Sequence, residues 1–269
     1  STLAEDGAAD PSAASDASRA RKQFVAITDA GTPLEKLARA EGFRGIYLNP
    51  SDVGGRYSAL SLFGLVPAAM LGVDLDLLLE RARAMSWACR STAAPEENPG
   101  LILGVAMGEL ARHGRDKLTI LTSPGLEAFG PWVEQLIAES TGKNGVGILP
   151  VEGEPPLDIA AYGADRQFVY LRLDDVDNTA LDERADGLVA AGHPLIALRL
   201  RDRYDLGAEF YRWEFATAVV GQRLGIDPFD QPNVEAAKVR ARQALERYAV
   251  DGALAEEEPL LREGDLALY

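Results

Sequence analysis

KLTILTSPGLEAFGPWVEQLIAESTGKNGVGILPV, residues 117–151, is the stretch on which the fold turns. Residues 117–122 are a short, mostly apolar run with β-branched members, which reads as a buried strand. Residues 126–141 then carry apolar positions at helical spacing. Trp132, Val133, Leu136 and Ile137 fall on one stripe at about 100° per residue. Gly142 stops the helix, and GVGILPV (145–151) reads as another strand.

The alternation extends both ways from there. Upstream, residues 24–27 read as a strand bounded by Asp29 and Gly31. Thr32-Pro33-Leu34-Glu35 has the form of a capping box with Pro at the first helical position. That helix runs to about Glu41, Gly42 ends it, and GIYLNP is the next strand. Asn98-Pro99 starts a helix reaching about His113. Downstream, RQFVYLRL (166–173) and PLIALRL (194–200) are strands with a helix at 179–191 between them, and 207–224 and 233–248 are long helices. Strands alternating with helices at this spacing imply an α/β, doubly wound, mostly parallel sheet flanked by helices, with long C-terminal helices. The organisation expected is a flexible low-complexity segment at 1–22, an α/β domain at 23–160, and a C-terminal α/β extension at 161–269 ending in an acidic tail.

Glu139 stands out on this background. It lies in the last turn of its helix, where the backbone carries about half a negative charge. On the helical wheel it shares the edge of the apolar stripe with Gln135, one turn away on the side of Trp132. The helix end and partial burial beside Trp132 are both expected to raise its pKa toward the range useful for a general base. Taken alone, the segment reads more readily as the home of an ordinary surface acid.

Bulk properties narrow the function classes. The chain has 269 residues, is 47% hydrophobic and carries a formal net charge of -15. Such a charge argues against nucleic acid and anionic membrane as partners. Local Arg and Lys still leave room for a small anionic substrate. Cys89 is the single cysteine, so an intrachain disulfide is excluded and a buried structural thiol is expected. No apolar run approaches the roughly 18 residues of a membrane span, and no secretory signal is visible at the start of the sequence, so a cytoplasmic setting is expected. The first β–α turn, TDAGTP, lacks G-x-G-x-x-G, and neither G-x-x-x-x-G-K-[ST] nor G-x-S-x-G occurs.

Several segments recur in a telling order. In VGGRYSALS, Gly54 and Gly55 precede Arg56; a double glycine lets backbone approach a ligand, and Arg56 can pair with an oxyanion. ENPG follows at 97–100, QLIAESTGK at 135–143, GEP at 153–155, and PFDQPNVEAAK at 228–238, which places Lys238 one turn inside a helix. Singly, each is an ordinary loop, a solvated Arg or a solvent-facing Lys. Together, over roughly residues 23–240, they resemble the phosphoglucose isomerase family, whose segments read close to V-G-G-R-Y-S, E-N-P, Q-Q-L-x-M-E-S-N-G-K, W-G-E-P and S-F-D-Q-x-G-V-E-x-G-K. FVAITDAGTPLEKLA and GAEFYRWEFATAVVG look most like the isomerase part of bacterial fused transaldolase/glucose-6-phosphate isomerases.

The resemblance implies a sugar-isomerase-like fold and interconversion of glucose 6-phosphate and fructose 6-phosphate through a cis-enediol. It implies that Glu139 is the proton-transfer base and that Arg56 stabilises the developing oxyanion. Lys238 matches the lysine near the ring oxygen and phosphate. Gly54, Gly55 and Gln135 match residues that contact the sugar. It implies no metal and no organic cofactor, and it allows a homodimer and a transaldolase part fused upstream. The sequence departs from the family at two places. The Ser/Thr-rich phosphate loop has no counterpart before QFVAITD other than the segment 1–20. The N-G-Q-H segment, whose His helps open the ring, is replaced after Glu154 by Pro155-Pro156-Leu157, leaving His113 and His193 as the histidines. The chain is therefore expected to be a piece of a larger protein. The alternative reading is a sugar-phosphate-binding module without catalysis. A scaffolding domain, favoured only by the acidic stretch at 257–269, is the third.

Overall fold

A computed structural model describes residues 19–253 and 259–268. The expected loose segment 1–22 thus lies largely outside the described residues. Two compact units divide the chain, one up to Phe229 and one from Asp230.

The first unit opens with strand β1 (Val25–Asp29), helix α1 (Pro33–Glu41) and strand β2 (Gly45–Asn49). Thr32 caps α1: its Oγ1 accepts from the backbone N of Glu35 at 3.3 Å. The reciprocal half of the expected capping box is shifted by one residue, because the Glu35 carboxylate takes the amide of Gly31 at 2.6 Å. Gly42 closes the helix in the left-handed region at φ 65°, where glycine has no Cβ to clash. Helices α2 (Leu62–Met70), α3 (Leu75–Ala88) and α4 (Pro99–Arg112) come next, with Asn98 Oδ1 capping α4 through the amide of Leu101 at 2.9 Å.

Strand β3 (Lys117–Thr122), helix α5 (Phe129–Thr141), strand β4 (Leu149–Val151), strand β5 (Arg166–Leu173), helix α6 (Thr179–Ala190), strand β6 (Leu195–Leu200) and helix α7 (Leu206–Leu224) complete the first unit. The sheet order is β4-β3-β5-β6, every pair parallel. β5 is interior and buried along nearly its whole length, which is why its middle, residues 168–171, is apolar without a break. Leu118 and Ile120 on β3 join Val133, Leu136 and Ile137 of α5 and Trp213 of α7 in the main core. Phe168 and Leu188 anchor a smaller cluster, joined by Leu121, on the face covered by α6.

The single series of strands expected from the sequence is divided in two. β1 and β2 form their own parallel pair, apart from the four-stranded sheet. Three helices, α2 to α4, separate β2 from β3 instead of one crossover, so nothing in the connection sets β3 beside β2. The strand expected at 145–151 shrinks to Leu149–Val151, because Asn144, Gly145 and Gly147 take positive φ angles of 54°, 77° and 158°. Asn144-Gly145 instead turns the chain back on itself, with Lys143 bridged to Val146, as Asn-Gly does in two-residue turns.

Helix α4 packs on α7 through glycines spaced four apart. A Cβ on Gly104 would lie 2.5 Å from Ala216 O, and one on Gly100 or Gly108 would meet Phe215 or Arg223 at 2.7 Å. Cys89 is buried, 2% exposed, and burial pushes its thiol up. The second unit holds helix α8 (Pro232–Asp251) and an antiparallel hairpin, β7 (Leu261–Glu263) with β8 (Leu266–Leu268), within the stretch read as an acidic tail. Among the described residues, no helix is long and apolar enough to cross a membrane.

Candidate active site

Arg56 sits on a short 3-10 turn, Gly55–Tyr57, entered from Gly54. It is 2% exposed. A buried guanidinium has to be paired and hydrogen-bonded to be tolerated, and its partners come from far along the chain. Nε donates to Ser140 Oγ at 2.7 Å and Nη2 to the carbonyl of Pro228 at 2.6 Å. Nη1 stands 3.7 Å from Glu139 Oε2. The cation also lies beside the ring of Tyr57, 5.3 Å from its centroid.

Glu139 occupies the last turn of α5, and its side chain is 34% exposed. Gln135 Nε2 donates to Glu139 Oε1 at 3.2 Å, so the two residues meet across one helical turn as their spacing requires. The sequence offers the helix end and Trp132 as the surroundings of this carboxylate. The structure adds the Arg56 cation, while Trp132 turns toward Phe129 and Phe210.

Four residues absent from the sequence reading complete the arrangement. Ser140 is fully buried and also meets Tyr57 Oη at 3.1 Å. Tyr57 donates to Pro228 O at 3.3 Å, and burial pushes its phenol up. Lys143 Nζ donates to Asp227 O at 2.5 Å. The segment 225–229 is therefore held by Lys143 on one carbonyl and by Arg56 and Tyr57 on the next. Glu214 on α7 acts on Tyr57 only in its ionised form, and burial drives its own carboxyl up to about 8, so that it is mostly neutral at pH 7. Of these, Lys143 had a readable signal: the Asn144-Gly145 turn that follows it folds the loop back under the helix end.

The remaining expected site residues fall as follows. Gly54 has an ordinary extended backbone (φ -68°), and a Cβ on Gly55 would meet open space. Neither local strain nor packing accounts for the glycine at 55; it leaves a bare backbone face next to Arg56. Lys238 lies in the second unit, on α8, where its Nζ bonds Glu235 at 2.8 Å. Both histidines have structural surroundings. His193 packs edge-on against Tyr162 and Phe168, and His113 Nδ1 contacts Glu109 O at 2.7 Å beyond the end of α4. Glu154 of the GEP segment pairs with Arg166 at 3.1 Å. Among the described residues there is no cluster of three or more His, Cys, Asp or Glu able to hold a metal ion.

Comparison with known proteins bears on this arrangement. A glucose-6-phosphate isomerase from Symbiobacterium thermophilum is 32% identical, the match covering 90% of this chain and 62% of that protein. The chain is a homologue of glucose-6-phosphate isomerases. A second such isomerase, from Enterococcus faecalis, is 30% identical over 81% of this chain and 57% of its own length. The chain thus spans about three-fifths of the length of the curated isomerases it matches. Among solved structures, a hypothetical protein from Thermus thermophilus superposes with a TM-score of 0.73 at 28% identity, over 85% of this chain and 64% of that one. A glucose-6-phosphate isomerase from Chlamydia trachomatis superposes with a TM-score of 0.64 at 19% identity, over 85% and 53%, and shares the fold. No protein-family profile matches the chain.

Proposed function

We propose that this chain carries the proton-transfer part of an aldose–ketose isomerase site for glucose 6-phosphate and fructose 6-phosphate. The observation that carries the reading is the Arg56–Glu139 pair: a buried, fixed cation beside a reachable carboxylate. The pair joins two of the segments by which the sequence resembles phosphoglucose isomerases, and the homologues bear that name.

In this reading Glu139 removes the proton from C2 of the open-chain aldose. The electron pair left behind forms the C1–C2 double bond as the C1 carbonyl oxygen takes up a proton. The resulting cis-enediol receives the proton from Glu139 at C1, while the C2 hydroxyl gives up its own proton to become the ketose carbonyl. The separation of 3.7 Å between Arg56 Nη1 and Glu139 Oε2 exceeds hydrogen-bond reach, so Oε2 keeps lone pairs for a carbon proton. Arg56 cannot lose its own proton at working pH. It serves as fixed positive charge for the oxyanion that develops between C1 and C2. Gln135 occupies Oε1 and orients the carboxylate. Gly54 and Gly55 present bare backbone to the sugar, and Lys238 acts on the phosphate and ring-oxygen side. The fused transaldolase part and the homodimer that the resemblance allows, and the cytoplasmic setting expected from the sequence, belong to the same reading.

The test is Glu139→Gln in the full-length protein, following isomerisation and exchange of the C2 proton with solvent. The amide is nearly isosteric and keeps the contact with Gln135, but cannot accept a carbon proton. A fall in kcat on the order of 10²–10⁴ with little change in KM is expected. Exchange at the wild-type rate in the variant would assign the base elsewhere. Absence of exchange in the wild type would leave the binding module without catalysis as the better reading.

A further inference from the structure

A second charged centre lies at the opposite end of the sheet. α5 runs back from the carboxyl end of β3, so Glu139, in its last turn, lies toward the amino ends of the parallel strands. At the carboxyl end of β6, the chain passes through Arg201–Asp205 into the first turn of α7. There a cavity of about 300 Å³ is bounded by Arg81 of α3, Arg199 and Arg201 at the end of β6, and Asp205, Glu209 and Arg212 at the start of α7. The amino end of a helix adds partial positive charge there.

We propose that this cavity binds a small phosphate monoester, with Arg81 and Arg212 as its principal donors. The protein carries a net charge of -15, yet four guanidinium groups converge on this one space. Two of them are satisfied. Arg201 makes hydrogen bonds of 2.9 and 2.6 Å to the Asp205 carboxylate, and Arg199 one of 2.6 Å to Asp174. The other two are not held in this way. Arg81 reaches Asp202 and Asp205 only at 3.6 and 3.5 Å, and Arg212 faces Glu209 at 3.3 Å. The Nε atoms of both are buried without a hydrogen-bond partner.

Glu209 supplies a second, independent sign of a ligand. Its side chain is 2% exposed, and Oε2 lacks a well-formed hydrogen bond although it borders a space rich in donors; the indole of Trp213, one turn along α7, acts on the carboxyl only weakly. Burial, opposed by Arg212 and aided by Asp205, pushes its carboxyl up to about 7. In its neutral form Glu209 donates a hydrogen bond through its protonated oxygen, which suits a phosphate oxygen as a neighbour. A structural ion network would draw Arg81 and Arg212 into the tight bonds that Arg201 makes; an oxyanion between them satisfies the donors that the carboxylates leave idle. Ala84, Met85 and Ala88 of α3 give the wall an apolar side, where the carbon part of an ester would lie.

Isothermal titration of the protein with inorganic phosphate and with glycerol 3-phosphate tests the site. Wild type is expected to bind the ester with a Kd below about 1 mM, more tightly than inorganic phosphate. Arg212→Gln and Arg81→Gln are each expected to weaken binding at least about tenfold. Lys238→Gln, which removes the cation that the proposed isomerase centre has on its phosphate side, is expected to leave it unchanged, which separates this site from that centre. Arg212→Lys keeps the charge beside Glu209 and serves if the Gln variant does not fold; it is expected to weaken binding through loss of the planar fork. No binding by the wild type, binding untouched by the arginine substitutions, or binding abolished by Lys238→Gln would overturn the proposal.

Discussion

Arg56 Nε donates a 2.7 Å hydrogen bond to Ser140 Oγ across 84 positions of sequence. Ser140 follows Glu139 in the chain, so the contact that buries the arginine also holds its Nη1 edge toward the carboxylate. Ser140 is thereby a positioning residue for the pair: it touches the cation rather than a substrate.

Ser140→Ala should separate position from charge. The fully buried Arg56 would lose one acceptor, at a cost of about 1–3 kcal/mol in stability by chemical denaturation. The isomerase kcat should fall at least about tenfold, with KM little changed. An unchanged kcat in a folded variant would remove Ser140 from the positioning role.

Gly55→Ala should do the reverse. A Cβ there meets open space and the backbone needs no positive φ, so stability should change by less than about 0.5 kcal/mol. If bare backbone at this position faces the sugar, KM for fructose 6-phosphate should rise. A wild-type KM would place the sugar elsewhere.

Gly104→Ala should be costly without touching either charged centre. The added methyl would sit 2.5 Å from Ala216 O and 2.6 Å from Val219 Cβ. Overpacking of this kind costs about 1–3 kcal/mol, or a drop of roughly 2–4 °C in Tm for each kcal/mol lost. Thermal unfolding of the variant at wild-type Tm would show that α4 and α7 can part freely.

Glu214 sets a pH dependence whose sign is fixed by burial. Its carboxyl lies near 8 in the folded protein against an ordinary value of 4.5, so between those values the folded state binds more protons than the unfolded one. Stability should therefore be fullest at the acid end and decline as pH rises toward about 8, with Glu209 acting the same way up to about 7. Glu214→Gln should flatten the decline and stabilise the protein at pH 8 by an amount on the order of a few kcal/mol. Denaturation midpoints across pH 5–9 measure it; a profile identical to wild type would contradict a neutral Glu214.

What could be read in the sequence was local. Residues 117–122 and 166–173 were legible as strands to the residue because buried parallel strands are dominated by apolar, β-branched and aromatic residues. Thr32, Asn98 and Gly42 marked helix ends through their own cap chemistry. The neighbours of Arg56 were not legible, because Ser140 and Pro228 reach it from 84 and 172 positions away and periodicity carries no information at that range. The separation of β1–β2 from the larger sheet escaped for a related reason: strand patterns identify strands but not their partners. Gln135 and Glu139 could be paired from the sequence because one helical turn links them.

The glycine seam between α4 and α7 has a kinetic meaning. It joins residues 100–108 to 215–223, and all four strands of the larger sheet are spelled out in the chain between. Closing so long a loop carries an entropic cost that is repaid only once the intervening sheet has gathered its ends. The seam should thus form late, as a latch on a sheet already assembled. Gly104→Ala should then speed unfolding and leave the refolding rate nearly untouched, so that the smallest residues in the core govern how long the native state lasts.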